Sequence, residues 1–202
     1  MKLYDSRVAP NPRRVRIFLA EKGIEVPTQQ LDIGKLENRT APFLAMNPLG
    51  GLPFLELDDG TVIAESVAIC RYFEETHPNP PLLGSGALER AQVEMWQRRV
   101  ELELFRHVAG CFQNSHEFMK DRMEQVPAYG EVCKRTALAR LEWLDRELSR
   151  RPFVAGSRYT IADITALVAI DFGRIVGIRI SPEQKHLARW HEAVSARPSA
   201  KA

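Results

Sequence analysis

The secondary-structure signals of the chain change near residue 77, and this change sets the strongest limit on its fold. Strand and helix signals alternate before that point, whereas helix signals stand almost alone after it. Between the two parts, His77-Pro78-Asn79-Pro80-Pro81 interrupts every regular element. The sequence therefore predicts two domains, at 1–77 and 87–202, joined by a linker at 78–86.

The first part is predicted to contain seven elements in the order βαβαββα. Gly23 is expected to close the first helix, and Asp58-Asp59-Gly60 to turn between the last two strands. A β-α-β unit followed by a hairpin and a final helix is the thioredoxin-like arrangement. Strands are expected at 1–4, 27–31, 54–57 and 62–64, and helices at 13–22, 37–45 and 65–75.

The second part is predicted to be a helical bundle. Helical patterns cover 88–118 and 129–150. Thr160-Ile161-Ala162-Asp163 reads as a capping box, in which the threonine hydroxyl and the aspartate carboxylate satisfy N–H groups at a helix start. Its role is therefore structural. The predicted fold class is α/β for the first domain plus all-α for the second.

Composition narrows the classes of function. The chain has 202 residues, 45% of them hydrophobic, so it can bury a sizeable core. Its net charge of +2 gives no large field for nucleic acid, and Arg13, Arg14 and Arg16 are interpreted as a solvated helix face. No apolar stretch reaches the ~20 residues of a membrane span, and the N-terminus lacks a signal-peptide core. We expect a cytoplasmic protein without nucleic-acid or membrane partners.

The three cysteines give no sign of a cross-linked or metal-binding framework. Cys70, Cys111 and Cys133 are odd in number, widely spaced and set within helical patterns. This spacing argues against disulfides and against a metal site. We expect three buried thiols and no bound metal.

Leu52-Pro53 is the most informative local motif. Proline has no N–H to donate to a ladder, so Pro53 suits the first residue of the strand that follows. Leu52 must then be extended, and its own N–H and C=O are free to meet a group outside the protein, especially if the peptide bond between the two residues is cis. The motif therefore predicts a docking point for a peptide-like ligand.

Together these features resemble the cytosolic glutathione transferases over nearly the whole chain. The specific motifs are Asn47-Pro48 with Gly50, Leu52-Pro53, Glu65-Ser66 and the box at 160–163. The resemblance implies that Pro53 follows a cis peptide bond and that the backbone before it pairs with the cysteinyl unit of glutathione, the co-substrate.

The remaining groups of glutathione fall to charged and hydroxyl side chains. Ser66 opens a helix, whose free N–H groups and dipole favour the γ-glutamyl carboxylate. Glu65 would meet the ammonium of the same unit, and Arg39 corresponds to a basic position that relatives use for the glycyl carboxylate. The alternative is that Glu65-Ser66 only starts a helix and that Arg39 is a surface charge.

The group that activates the thiol is open at this point. A free thiol with a pKa near ~8.5 is mostly protonated at neutral pH, so the site must donate a hydrogen bond to the thiolate. Ala9 stands where zeta- and delta-like relatives carry the catalytic Ser, and both cysteines of a glutaredoxin motif are absent. Asn11, which matches the Asn of nu-class bacterial members, is the preferred donor, and Ser6 is the second candidate. An Asx turn before Pro12 explains Asn11 equally well, and backbone N–H groups are a third possibility.

Several segments, among them Arg14-Val15-Arg16-Ile17, resemble a fungal and bacterial branch that lacks the standard catalytic Ser, Cys or Tyr. In that branch a Ser and a His on the first long helix of the second domain are assigned to a water that contacts the sulfur. The corresponding residues here are Ala109 and Gln113, so that mechanism should not be transferred.

The second substrate is expected to be a small hydrophobic electrophile that binds between the domains. Its expected neighbours are Arg7, Val8, Phe112, Gln113 and His116. Ordinary bundle core is an equally good account of the apolar residues among them.

The sequence predicts a glutathione transferase that serves detoxification and adds the glutathione thiolate to that electrophile. A glutathione-dependent disulfide-bond reductase of the nu-like type is the enzymatic alternative, and Asn11 supports it. A non-catalytic transferase-like interaction protein is the alternative from another class. A homodimer is expected because relatives use the long helix that carries Arg98 and Glu101, although solvated charge explains those residues equally well.

Overall fold

The computed structural model describes all 202 residues. The chain divides into two compact units, one formed by Met1–Leu82 with Lys201–Ala202 and the other by Leu83–Ala200. Each unit has its own elements and its own core.

The first unit has the predicted order βαβαββα. Its four strands form one mixed sheet in the order β2-β1-β3-β4, in which β1 runs parallel to β2 and antiparallel to β3. This is the thioredoxin-like topology, so the predicted fold class is confirmed here. The elements are β1 Lys2–Asp5, α1 Pro10–Lys22, β2 Thr28–Gln30, α2 Ala41–Met46, β3 Phe54–Glu56, β4 Val62–Ala64 and α3 Ser66–Thr76.

Side chains of both sheet faces are buried, because alternate residues of a strand point to opposite sides. Tyr4 and Phe54 stack on one face, with ring centroids 4.4 Å apart, and Phe43 of α2 packs against them. Leu3 and Leu55 point to the other face and are fully buried as well. The central strands β1 and β3 are therefore packed on both faces, and their ends position the loop that follows β1 and the loop that precedes β3.

Two helices of the first unit differ most from the prediction. The first helix begins at Pro10, three residues before the expected start, because a proline in the first turn lacks only an N–H that has no helical partner there. The helix expected at 37–45 is split into a 3-10 turn, Glu37–Arg39, and α2, with Thr40 extended between them. Inside a continuous helix the ring of Pro42 would clash with the carbonyl of Asn38.

The second unit is all-helical, as predicted. A π-helical turn, Val100–Phe105, joins α4 and α5, so the pattern at 88–118 is a helical run with a change of winding in the middle. Ten consecutive residues of α7, Ile161–Ile170, are buried, which places this helix at the centre of the bundle. The α-helices are α4 Gly86–Arg99, α5 Arg106–Ser115, α6 Pro127–Leu148, α7 Ile161–Gly173 and α8 Lys185–Ser195.

The predicted capping box is present at the start of α7. One carboxylate oxygen of Asp163 accepts from the backbone N–H of Thr160 at 2.9 Å. The other oxygen accepts from the backbone N–H of Val154 and from Trp190 Nε1, each at 2.8 Å. Burial raises the pKa of Asp163 to about 6. One side chain thus ties a loop, a helix start and α8 together.

The chain contains no helix that combines the length and the apolar character needed to cross a membrane. Cys70, Cys111 and Cys133 are buried free thiols, as predicted.

Candidate active site

The loop before β3 leaves the backbone of Leu52 open. The Leu52–Pro53 peptide bond is cis, and neither the N–H nor the C=O of Leu52 takes part in a hydrogen bond within the chain. Two buried asparagines hold the preceding residues: Asn38 Nδ2 donates to the carbonyl of Gly50 at 2.6 Å, and Asn47 Nδ2 donates to the carbonyl of Gly51 at 2.9 Å. The loop therefore offers one donor and one acceptor beside the sheet, as an added strand requires.

Gly50 is required for this loop to close. Its φ of +61° lies in the left-handed region, which side chains with a Cβ rarely adopt. A Cβ there would also lie 3.2 Å from Leu44 and 3.3 Å from the Cγ of Arg39. Arg39 itself is exposed on the 3-10 turn, so its guanidinium is free to reach a ligand next to the loop.

The start of α3 carries a backbone outlier. Glu65 precedes the helix with a φ of +66°, a conformation that costs a non-glycine residue about 1–3 kcal/mol. Such strain is typical of functional positions. Glu65 is exposed, whereas Ser66, the first residue of α3, is only 5% exposed. The hydroxyl of Ser66 and the first N–H groups of α3 together form a place that suits a carboxylate.

Arg14 connects the start of α1 to the start of α3. Its Nη1 donates to Asn11 Oδ1 at 3.0 Å and to Ser66 Oγ at 2.6 Å. Two residues that the sequence assigned to different groups of bound glutathione, the thiol and the γ-glutamyl carboxylate, therefore share one guanidinium. Arg14 is only 1% exposed, so its interpretation as part of a solvated helix face was wrong. The available signal was its position four residues before Phe18, on the core side of α1.

The loop between β1 and α1 is fixed by side chains from two elements. Arg16 donates to the carbonyl of Ser6 at 3.4 Å and to that of Arg7 at 3.2 Å. Gln30 accepts from the N–H of Arg7 at 3.0 Å. Ser6 is buried at the end of β1, and the side chain of Arg7 is exposed, as is that of its neighbour Val8. Ser6 makes no hydrogen bond to Asn11 or Arg14, so the two candidate donors belong to separate groups of contacts.

In the second unit, three of the expected electrophile neighbours lie at the end of α5. Phe112 stacks on His116, with ring centroids 4.6 Å apart, and contacts Phe172 of α7 at 4.9 Å. Gln113 takes part through its backbone, whose carbonyl accepts from Gln125 Nε2 at 2.9 Å. The structure thus brings Phe112 and His116 together as one aromatic cluster.

Comparison with known proteins bears on both units. Residues 8–76 match the family described as Glutathione S-transferase, N-terminal domain, and residues 110–198 match Glutathione S-transferase, C-terminal domain. Glutathione S-transferase 2 of Saccharomyces cerevisiae is 36% identical over 205 residues, which covers 100% of this chain and 88% of that protein. The chain belongs to the glutathione S-transferase family.

Solved structures support the same assignment for this glutathione S-transferase. The crystal structure of Gtt2 from Saccharomyces cerevisiae matches with a TM-score of 0.95 at 36% identity and covers 100% of this chain and 99% of that one. A glutathione S-transferase domain-containing protein of Marinobacter aquaeolei VT8 has a TM-score of 0.95 at 38% identity, covering 98% and 99%. A transferase of class Gtt2 from Vibrio parahaemolyticus has a TM-score of 0.86 at 38% identity, covering 100% and 96%. The predicted likeness to fungal and bacterial members is confirmed.

Proposed function

We propose that this glutathione S-transferase holds glutathione along its first unit and adds the glutathione thiolate to a small hydrophobic electrophile. The open backbone of Leu52 carries the proposal, because a peptide backbone pairs with it as an added strand would. The cysteinyl unit then places its sulfur near the start of α1. In conjugation the thiolate forms one carbon–sulfur bond directly, while chloride leaves a chloroaromatic or a ring carbon–oxygen bond of an epoxide opens to an alkoxide that takes up a proton. No covalent intermediate with the enzyme is needed.

The two ends of glutathione have separate partners in this proposal. The γ-glutamyl carboxylate accepts from Ser66 and from N–H groups at the start of α3, while Glu65 faces the ammonium of the same unit. Arg39 pairs with the glycyl carboxylate. Because Arg39 is exposed, salt should weaken its pair more than the contacts of the buried Ser66.

Asn11 is the proposed donor to the thiolate. It lies at the start of α1, and Ala9, at the position assigned to the catalytic Ser of other classes, has nothing to donate. The Oδ1 of Asn11 accepts from Arg14, which leaves Nδ2 with its N–H groups for a ligand. A donor to the thiolate lowers the pKa of the bound thiol and thereby raises the fraction of the reactive form at neutral pH.

The assembly and the second substrate belong to the same proposal. A homodimer, a cytoplasmic location and a role in detoxification follow the family pattern. The residues proposed for the electrophile are Arg7 and Val8, exposed in the first unit, and Phe112, Gln113 and His116, at the end of α5 in the second.

Asn11 also favours a second candidate function, glutathione-dependent reduction of disulfide bonds. In that reaction the glutathione thiolate attacks one sulfur of a mixed disulfide, the sulfur–sulfur bond breaks, and the other sulfur leaves as a thiolate. The same donor that activates glutathione for conjugation serves here, so the site alone favours neither electrophile. A panel of chloroaromatic, epoxide, peroxide and mixed-disulfide substrates separates the two reactions, and turnover of mixed disulfides alone would favour the reductase.

Isothermal titration with glutathione tests the proposal itself. We expect saturable binding, and no binding at millimolar glutathione would overturn both enzymatic functions and leave an interaction protein. Titration of the thiolate absorbance in the ultraviolet then tests the donor. Asn11→Ala should raise the pKa of the bound thiol by about one to two units, because hydrogen bonds to charged groups contribute roughly 1.5–3 kcal/mol. Ser6→Ala is the control: the reverse pattern would assign the role to Ser6, and no shift in either variant would leave backbone N–H groups as the donors.

A further inference from the structure

One face of α1 carries two buried cations, and they contact opposite ends of α3. Arg14 meets Ser66 at the start of α3, whereas the ammonium of Lys22 lies 2.7 Å from Glu74 near the end of that helix. Lys22 also donates to the carbonyl of His77 at 2.7 Å, so its contacts fasten the end of α3. Only Arg14 touches residues proposed for the glutathione site.

We propose that Arg14 is a positioning residue, which directs the donors of Asn11 and Ser66 toward the thiol and the γ-glutamyl carboxylate of glutathione. This inference rests on the proposed function. It gives Arg14, to which the sequence assigned no role in binding, the task of orienting the donor to the thiol and the donor to the carboxylate together.

The contact with Asn11 determines which way its amide points. A guanidinium has five N–H donors and no acceptor, so the Asn11 atom that faces Arg14 at 3.0 Å must be the carbonyl oxygen. The NH2 group of the same amide is then directed away from Arg14 as a donor. Without Arg14 the amide has no such preference and can present its oxygen, which would repel a thiolate.

The contact with Ser66 has the same effect on a hydroxyl. Ser66 Oγ lies 2.6 Å from Arg14 Nη1 and accepts from it, so its single hydrogen is left to donate elsewhere. A carboxylate is an acceptor and needs such a donor. A hydroxyl can donate or accept a hydrogen bond, and the contact with Arg14 leaves the hydroxyl of Ser66 as a donor to the ligand.

Burial gives these contacts their strength. Arg14 is 1% exposed, so water does not compete for its N–H groups, and the low local dielectric strengthens each bond. The same charge acts on a nearby thiol: it opposes the burial that raises the pKa of Cys70 to about 12. A direct effect of the charge on the glutathione thiolate is thus the competing explanation, and the experiment must separate charge from orientation.

Arg14→Lys keeps the charge but replaces the rigid planar guanidinium, whose Nη1 makes both hydrogen bonds, with a flexible ammonium. We expect the pKa of the bound thiol to rise by about one unit and the Kd for glutathione to rise about tenfold or more, since hydrogen bonds to charged groups are lost at both ends. Lys22→Arg is the matched control, a conservative exchange of the other buried cation on the same helix face. It should leave both quantities unchanged, whatever it does to the Tm.

A double variant separates orientation from charge. In the Asn11→Ala background there is no amide left to direct, so adding Arg14→Gln should raise the thiol pKa no further. A further rise as large as in the native background would show that the charge of Arg14 acts on the thiolate directly, and would overturn the positioning role at the thiol end. The Ser66→Ala background serves the same purpose for the glutathione Kd.

Asn11→Asp tests the geometry with Arg14 intact, should its replacements fail to fold. The carboxylate keeps an oxygen toward Arg14 and has no donor, so we expect an unchanged or higher Tm together with a raised thiol pKa. A clearly lower Tm would show that Asn11 does not face Arg14 through its oxygen and would overturn the proposal.

Failure of the inference differs from failure of the proposed function. If the native protein binds glutathione and Arg14→Lys leaves both the thiol pKa and the Kd unchanged, only the positioning role is wrong. If the native protein does not bind glutathione at millimolar concentration, the proposed function is wrong and the positioning role falls with it.

Discussion

Single residues at the site use one polar atom in a hydrogen bond within the chain, which leaves a second polar group available to a ligand. Asn38 and Asn47 donate hydrogen bonds to the carbonyls of Gly50 and Gly51. These bonds shape the loop, while the backbone of Leu52 stays unpaired. Arg14 does the same for Asn11 and Ser66 from the donor side. Because buried polar groups are rarely left without partners, the atom that bonds within the chain determines where the remaining polar group points.

Ser66→Ala should weaken glutathione binding by about 1–3 kcal/mol, because the γ-glutamyl carboxylate loses a hydroxyl donor in a buried position. Isothermal titration measures the change. Ser149→Ala is the control, since that hydroxyl donates only to the carbonyl of Arg146 in the second unit. Unchanged affinity for glutathione in Ser66→Ala would show that Ser66 starts the helix and does not bind the ligand.

The residues that shape the backbone of the site could be predicted from the sequence, whereas Arg14, which contacts both Asn11 and Ser66, could not. Pro53 and Gly50 leave marks because few other residues adopt the required conformations. Arg14 leaves no such mark: its partner Ser66 lies 52 positions away in the chain. Only the helical spacing to Phe18 hinted at its burial, and a charged side chain at such a position is more often exposed.

Helices and strands could be predicted wherever apolar residues recur at a regular period. Their boundaries could not be predicted where a proline or a change of helical winding lies near the end. The order βαβαββα followed from such patterns, and the capping box followed from the spacing of Thr160 and Asp163. The π turn at Val100–Phe105 could not be predicted, because one extra residue in a turn changes the winding without changing the composition. Proline misled the prediction of α1, since it ends a helix in one position and begins it in another.

Asp163→Ala should destabilise the fold by about 2–4 kcal/mol. Loss of a cap alone costs roughly 0.5–2 kcal/mol, and here the buried N–H groups of Val154 and Trp190 also lose their acceptor. Denaturant unfolding measures the change. Asp59→Ala, which removes an exposed carboxylate from the turn between β3 and β4, is the control and should have a much smaller effect. A loss below about 0.5 kcal/mol in Asp163→Ala would contradict the role of the box.

The same carboxyl should give the stability of the protein a specific pH dependence. Burial raises the pKa of Asp163 from 3.8 to about 6, so the folded state holds this proton more tightly than the unfolded state. The stabilisation is therefore fully present below about pH 4 and is lost as the pH rises through about 6. Subtracting the pH profile of Asp163→Asn isolates this contribution, which should fall over that window. A difference that rises there would mean that the hydrogen bonds outweigh burial.

At the scale of the whole molecule, binding and capping reside in different parts of the chain. The residues proposed for glutathione all lie within residues 1–82, whereas Asp163 and its partners lie within residues 83–200. Ser66 and Asp163 have no hydrogen-bond partner in common. Free-energy changes at sites without shared partners generally add.

Glutathione should therefore stabilise Asp163→Ala by the same increment as the native protein. At a concentration one hundred times the native Kd, the increment is about 2.7 kcal/mol for both, because it depends only on affinity for the folded state. In Ser66→Ala, a tenfold higher Kd would reduce it to about 1.4 kcal/mol at the same concentration. Denaturant unfolding with and without glutathione measures all three. A smaller increment in Asp163→Ala would show that the capping network of the second unit supports the glutathione site, so that binding is a property of both units.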